Sequence, residues 1–175
     1  MFLNPQKVVE NLQIAPGMKV ADFGTGSGDF SLAASRLVGG SGVIYAIDIK
    51  KEALEALKSR AKILAVFNIE TIRADLERPF STTLKEEMVD YVIIANVLFQ
   101  ITNRDTAARE AFRILKPGGK IVLIEWNKEA GKFGPSLSDR LPKDGAKNLF
   151  EIRGFNFERE FYAGDYHYGM MFSKI

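Results

Sequence analysis

Cysteine is absent from the 175 residues, which excludes disulfides, a thiolate nucleophile and cysteine-ligated metal in one step. Histidine occurs once, and no spacing of His, Asp and Glu along the chain makes a metal site, so no metal is expected. Excess charge is also lacking. With 24 basic and 22 acidic side chains the net charge is +2, too small to single out a nucleic-acid partner. No apolar run approaches the roughly 20 residues needed to span a bilayer, and the opening MFLNPQKVVE lacks a signal-peptide pattern. These absences lead to the expectation of a soluble, cytoplasmic protein. What is present, 46% hydrophobic residues, is ample for one core, and the length suits a single domain over 1–175.

The stretch VADFGTGSGDF at 20–30 organises the rest. A short apolar run carrying Asp22 passes directly into Gly24-Thr25-Gly26-Ser27-Gly28, the order of a strand, a tight glycine turn and a helix. Glycines at alternate positions remove the Cβ atoms that would hold a ligand away from backbone amides at a helix start. A second apolar run, 42–48, ends in Asp48, 20 residues after Gly28, where a carboxylate can accept both hydroxyls of a ribose. The third, 69–75, ends in Asp75, an acceptor for the exocyclic amine of an adenine. Loop, acid and acid on three successive strands describe an adenosine site. The loop reads GxGxG. An NAD fingerprint requires a glycine where Asp29 stands, and a carboxylate near that helix start would repel a pyrophosphate.

The segments DFGTGSG (22–28), YAIDI (45–49), RADL (73–76), VDYVIIANVLFQ (89–100) and RILKPGGKIVLIEW (113–126) together resemble the class I S-adenosylmethionine-dependent methyltransferases. The likeness is greatest to the small-molecule branch that includes the ubiquinone/menaquinone methyltransferase family, and it covers about 100 of 175 residues. It implies an α/β fold, a Rossmann-like doubly wound sheet of seven strands, mostly parallel with the last antiparallel and helices on both faces. It also implies S-adenosylmethionine as cofactor, S-adenosylhomocysteine as product, and in-line methyl transfer to a small organic acceptor. The glycine loop (Gly24, Gly26, Gly28) would hold the methionine end and Asp48 the ribose. Asp75 would hold the adenine, with Ile49 and Leu76 against the purine faces. Asp22 and Asn96, near the ends of the first and fourth strands, complete the cofactor-binding set. Nucleic-acid bases are methylated on their amines by enzymes that commonly carry Asn/Asp-Pro-Pro-aromatic after the fourth strand. This chain has Asn96-Val97-Leu98-Phe99, which argues against that activity. An RNA or protein substrate, and a non-catalytic cofactor-binding partner subunit, are the alternatives.

Around this frame, Asn4-Pro5 starts a leading helix within 1–16, either a partial lid or a sheet-edge packing element. Helices are expected at 29–38, 51–64 and 104–115, a loop or short helix at 77–87, strand five at 120–126 after Lys116-Pro117-Gly118-Gly119, and a last helix at 144–152. The 18 residues of 127–144 exceed a mere connection and read as an active-site loop. Strands at 155–162 and 166–174, joined by Ala163-Gly164-Asp165, must be antiparallel neighbours. The last strand then begins at the ligand-binding edge, bringing Tyr166 and His167 near Glu125 and Trp126. His167, whose unperturbed pKa suits proton transfer near neutrality, and Glu125 are the candidate general bases. Phe99, Trp126 and Tyr166 are candidates for an aromatic substrate wall. Arg140 reads as an anion contact or a solvated loop charge.

Overall fold

A computed structural model describes residues 1–175 apart from Glu129, Ala130 and Lys132; the part of the expected 127–144 loop formed by those three lies outside the described residues. Seven strands form one sheet: β1 (Lys19–Phe23), β2 (Val43–Asp48), β3 (Ile69–Arg73), β4 (Val89–Ala95), β5 (Leu115–Trp126), β6 (Phe155–Tyr162) and β7 (His167–Lys174). Their order is β3-β2-β1-β4-β5-β7-β6. β1 to β5 pair in parallel, and β7 runs antiparallel between β5 and β6. The expected doubly wound, mostly parallel architecture is borne out.

Periodicity explains the layers. β4, read VDYVIIA, is covered on both sides, with Val89, Val92, Ile93 and Ile94 each fully buried, and such burial contributes about 1.5–3 kcal/mol per large apolar side chain. Alternate residues serve opposite faces. Val92, Ile94, Ile121 and Leu123 pack against α4 (Arg104–Ile114) and α5 (Lys143–Glu151). Ile93, Val122 and Ile124 pack against α1 (Pro5–Glu10) and α2 (Asp29–Val38). α3 (Lys51–Ile63) lies beside α2, with Leu57 and Ala61 meeting Leu32 and Ala46. The leading helix is a packing element: Asn4 caps it by accepting from the Lys7 amide at 3.0 Å, and Val8 and Val9 are buried in the core.

Several boundaries differ from expectation: β3 ends at Arg73 rather than at 75, β7 begins at His167 rather than at 166, and β5 starts early. β5 begins at Leu115 rather than at 120, because Leu115 pairs with Val89, and residues 116–119 bulge out before pairing resumes at Tyr91↔Lys120. A bulge leaves ladder positions unpaired, so Pro117 sits in the strand without costing a sheet hydrogen bond.

The winding reverses at β1. Its neighbours β2 and β4 leave in opposite directions, and a crevice opens beyond the carboxyl ends of these strands.

Candidate functional site

The glycine turn after β1 is forced by its surroundings. Gly24 has φ +67°, and a Cβ there would stand 2.5 Å from Val97 Cγ2. Gly26, at φ +51°, faces open space, its nearest neighbour being Gly24 O at 3.8 Å, so a side chain would project into the crevice. Gly28 serves a different purpose. It precedes α2 at φ +80°, and a Cβ would meet Leu57 Cδ1 at 2.3 Å, so its smallness lets α3 approach the loop.

Asp22 lies beneath this turn. Its Oδ2 accepts from Thr25 Oγ1 at 2.8 Å and from Ser31 Oγ at 2.6 Å, tying the loop to the first turn of α2. Burial outweighs these hydroxyls and pushes the Asp22 carboxyl up to about 6. Asp48, ending β2, accepts the Gly26 amide through Oδ2 and the Lys50 amide through Oδ1, each at 2.9 Å. Asp75 Oδ1 accepts the Glu77 amide at 3.0 Å. Glu77 Oε1 in turn accepts the amides of Thr102 and Asn103 at 2.8 and 2.7 Å, joining the loop after β3 to the loop after β4.

These elements enclose a cleft of ≈ 340 Å³ lined by Gly24, Gly26, Asp48, Ile49, Asp75 and Leu76 together with Lys50, Ala53, Ala74, Glu77, Val97, Gln100 and Ile101. Six of the nine cofactor positions expected from sequence are thus brought together. Asp22, Gly28 and Asn96 do not line it. Asn96 directly follows β4 at φ +58°, with its Oδ1 buried and unpartnered among the described residues. Larger cavities of ≈ 640, ≈ 500 and ≈ 490 Å³ lie by α4, by the β6–β7 link and by α1, away from the glycine turn. Lys50, Glu77, Val97 and Gln100 were missed by sequence reasoning; each follows a strand end by a few residues, the one signal that would have found them.

The residues present suit a charged thioether nucleoside. Three carboxylates and one lysine border the cleft, favouring a cation, while Leu76 and Ile49 supply apolar surface and Gly26 bare backbone. Among the described residues no group of three or more His, Cys, Asp or Glu could hold a metal ion.

The expected bases sit elsewhere. Glu125 is fully buried, and its Oε1 accepts the amides of Val97 and Leu98 at 3.0 and 2.7 Å. Burial pushes its carboxyl up to about 7 against the pull of these amides. His167 pairs with Trp126 in the β5–β7 ladder, as the antiparallel ending predicts. It is buried, its ring centroid 4.1 Å from that of Trp126, and desolvation lowers its pKa to about 4. Neither residue lines the cleft; His167 lines a separate cavity of ≈ 500 Å³ with Asn127, Tyr162, Asp165 and Tyr168. Phe99, Trp126 and Tyr166 do not line the cleft either. Tyr166 packs with Phe2 and Phe133 at 5.3 and 4.9 Å, and Trp126 lies under Gly134, where a Cβ would come within 2.4 Å of the indole. Arg140 is neither an anion contact nor a solvated charge. It is 4% exposed, and its guanidinium donates to the carbonyls of Asn127, Lys128, Gly131, Phe133 and Pro135, folding the loop around itself.

A family model described as a methyltransferase domain matches residues 14–160. The chain belongs to this methyltransferase family. Within it the chain falls on the class I, S-adenosylmethionine-dependent side. The ubiquinone/menaquinone biosynthesis C-methyltransferase UbiE of Haemophilus ducreyi is 35% identical over 117 residues, 66% of this chain and 44% of that protein. Its counterpart from Shewanella pealeana is 33% identical over 145 residues, 79% of this chain and 56% of that one. The chain therefore spans about half the length of the curated relatives it matches. A crystal structure of a SAM dependent methyltransferase from Aquifex aeolicus superposes with a TM-score of 0.90 at 25% identity, covering 99% of this chain and 91% of that one. Among the described residues no helix is long and apolar enough to cross a membrane.

Proposed function

We propose that this methyltransferase-family chain moves the methyl group of S-adenosylmethionine to a small organic acceptor by in-line displacement. The observation that carries the reading is the convergence of Gly24, Gly26, Asp48, Asp75 and Leu76 on one cleft at the point where the sheet reverses its winding. In this reading Asp48 accepts the ribose hydroxyls, Asp75 the adenine amine, and Leu76 and Ile49 cover the purine. The backbone of Gly24 and Gly26 gives room for the methionine end, and Asn96 faces the transfer. The cofactor supplies a methyl already activated on a sulfonium, so the chain's own work is orientation and exclusion of water. Orientation can supply about 7–11 kcal/mol of a displacement barrier. The names of the relatives, C-methyltransferases of quinone biosynthesis, support a small carbon acceptor.

Calorimetric titration with S-adenosylmethionine, S-adenosylhomocysteine and NADH tests the cofactor. The first two are expected to bind and NADH to give no heat; binding of NADH alone overturns the reading. Methyl-labelled cofactor, incubated with the protein and a cell extract, is expected to label small molecules. Label entering RNA or protein fractions instead overturns the choice of acceptor.

A further inference from the structure

Glu125 is a fully buried carboxylate near the carboxyl end of β5, at the ligand-binding edge of the sheet. It ends the long apolar run of β5, on the face packed by α4 and α5, and reaches across to the neighbouring strand's exit rather than to solvent. Its Oε1 takes two successive amides, those of Val97 and Leu98, at 3.0 and 2.7 Å. Leu98 is held from its other end as well, since Arg104 Nε donates to its carbonyl at 2.6 Å, and Arg104 also reaches the Asp139 carbonyl at 3.2 Å. The chain between Asn96 and Gln100 is therefore held from both sides at Val97 and Leu98.

That segment is a wall of the cleft. Val97 and Gln100 line it, and the Val97 side chain occupies the space that a Cβ on Gly24 would need. Glu125 thus acts at one remove. It fixes two amides, the amides fix Val97, and Val97 fixes the separation between the loop after β4 and the glycine turn after β1. Asn96, directly before the clamped pair, is held by its amide to Ile124 O at 2.9 Å, so its orientation rests on the same two strand ends.

We infer that Glu125 is a positioning residue for cofactor binding: a buried carboxylate that presses Val97 against Gly24 and so sets the width of the cleft, without touching the ligand. The inference rests on the reading of that cleft as the S-adenosylmethionine site. A carboxylate is suited to the task because one oxygen can accept both amides. Alanine would leave two buried donors unpaired, whereas glutamine keeps an acceptor oxygen in place.

The test compares the parent, Glu125→Ala and Glu125→Gln. S-adenosylhomocysteine affinity is read by calorimetry, and exchange of the Val97 and Leu98 amides by NMR on the protein without ligand. In the alanine variant affinity is expected to fall about tenfold or more, the range for orphaned buried donors, with faster exchange at both amides. Glutamine is expected to restore both. Unchanged affinity in Glu125→Ala, with those amides exchanging faster, overturns the positioning role while leaving the cofactor reading standing. Failure of the parent to bind overturns both, and slow amide exchange in that parent still registers the clamp itself. Should alanine prevent folding, Glu125→Gln against Val97→Ala decides: Val97→Ala must lower affinity with Glu125 intact, and equal affinity overturns the inference.

Discussion

Asp48 accepts the backbone amide of Gly26 at 2.9 Å, so the acid at the end of β2 and the glycine turn after β1 are one unit. The residue proposed to hold a ribose also sets the turn proposed to hold the other end of the ligand. Asp48→Ala should therefore cost more than a single ligand contact. Charge-assisted hydrogen bonds are worth about 1.5–3 kcal/mol, so S-adenosylhomocysteine affinity is expected to drop at least tenfold, and NMR shifts of the Gly24–Gly28 amides should move. Loss of affinity with those amides unmoved would separate the two roles.

Gly28 offers a contrasting case, a glycine required by helix packing and not by the cleft. Gly28→Ala should lower stability by about 1–3 kcal/mol, from the left-handed φ of +80° and the overlap with Leu57. Adding Leu57→Ala removes the overlap but leaves a cavity, so the two changes should be non-additive in a denaturation cycle. Simple additivity would show that Leu57 is not the obstacle.

Among the described residues Arg140 holds the loop after β5 through backbone carbonyls. Arg140→Lys keeps the charge but replaces a planar fork of five donors by three on a flexible stem. The expected result is rapid protease cleavage between 127 and 140 with the sheet intact by circular dichroism. An uncut loop would mean the five carbonyl contacts are dispensable.

Three buried groups tilt the pH dependence of stability in opposing directions. Glu125 and Asp22 have folded pKa values of about 7 and about 6, above their ordinary 4.5 and 3.8. As pH rises through those windows the unfolded chain releases its protons first, so both groups reduce stability with rising pH. His167 is neutral in the fold, with a pKa of about 4 against an ordinary 6.5; its contribution is present above 6.5 and lost as pH falls toward 4. Glu125→Gln should therefore make the protein gain stability at pH 8 relative to pH 5 when compared with the parent. His167→Gln should do the reverse, removing the rising part of the curve. Urea denaturation midpoints across pH 4.5–8 measure both, and identical parent and variant slopes would contradict the assigned shifts.

Much of this was legible in the sequence because its causes are local or periodic. β4 matches its apolar run from Val89 to Ala95, α2 runs from Asp29 to Val38 as its stripe implies, and the short Ala163-Gly164-Asp165 link dictates an antiparallel β6–β7 pair. The start of β5 was not legible, because Pro117-Gly118-Gly119 looks the same whether it ends a helix or bulges from a strand; only pairing with Val89 decides. The backbone contacts of Arg140 and Glu125 were not legible for one reason. A charged side chain buried against backbone groups leaves no pattern in composition or spacing, since its partners are peptide groups that every residue carries. The cleft's acids were readable because a strand end, a glycine turn and an acid recur together. What holds those acids in place was not.

The chain has a single tryptophan, and its indole lies against the single histidine where β5 stops, with Gly134 packed on the ring. The five tyrosines absorb at shorter wavelength, so emission excited at the red edge, where only indole absorbs, originates at one spot on the sheet's rim. Quenching or spectral shift of that glow reads the surroundings of Trp126 directly, with no dye attached.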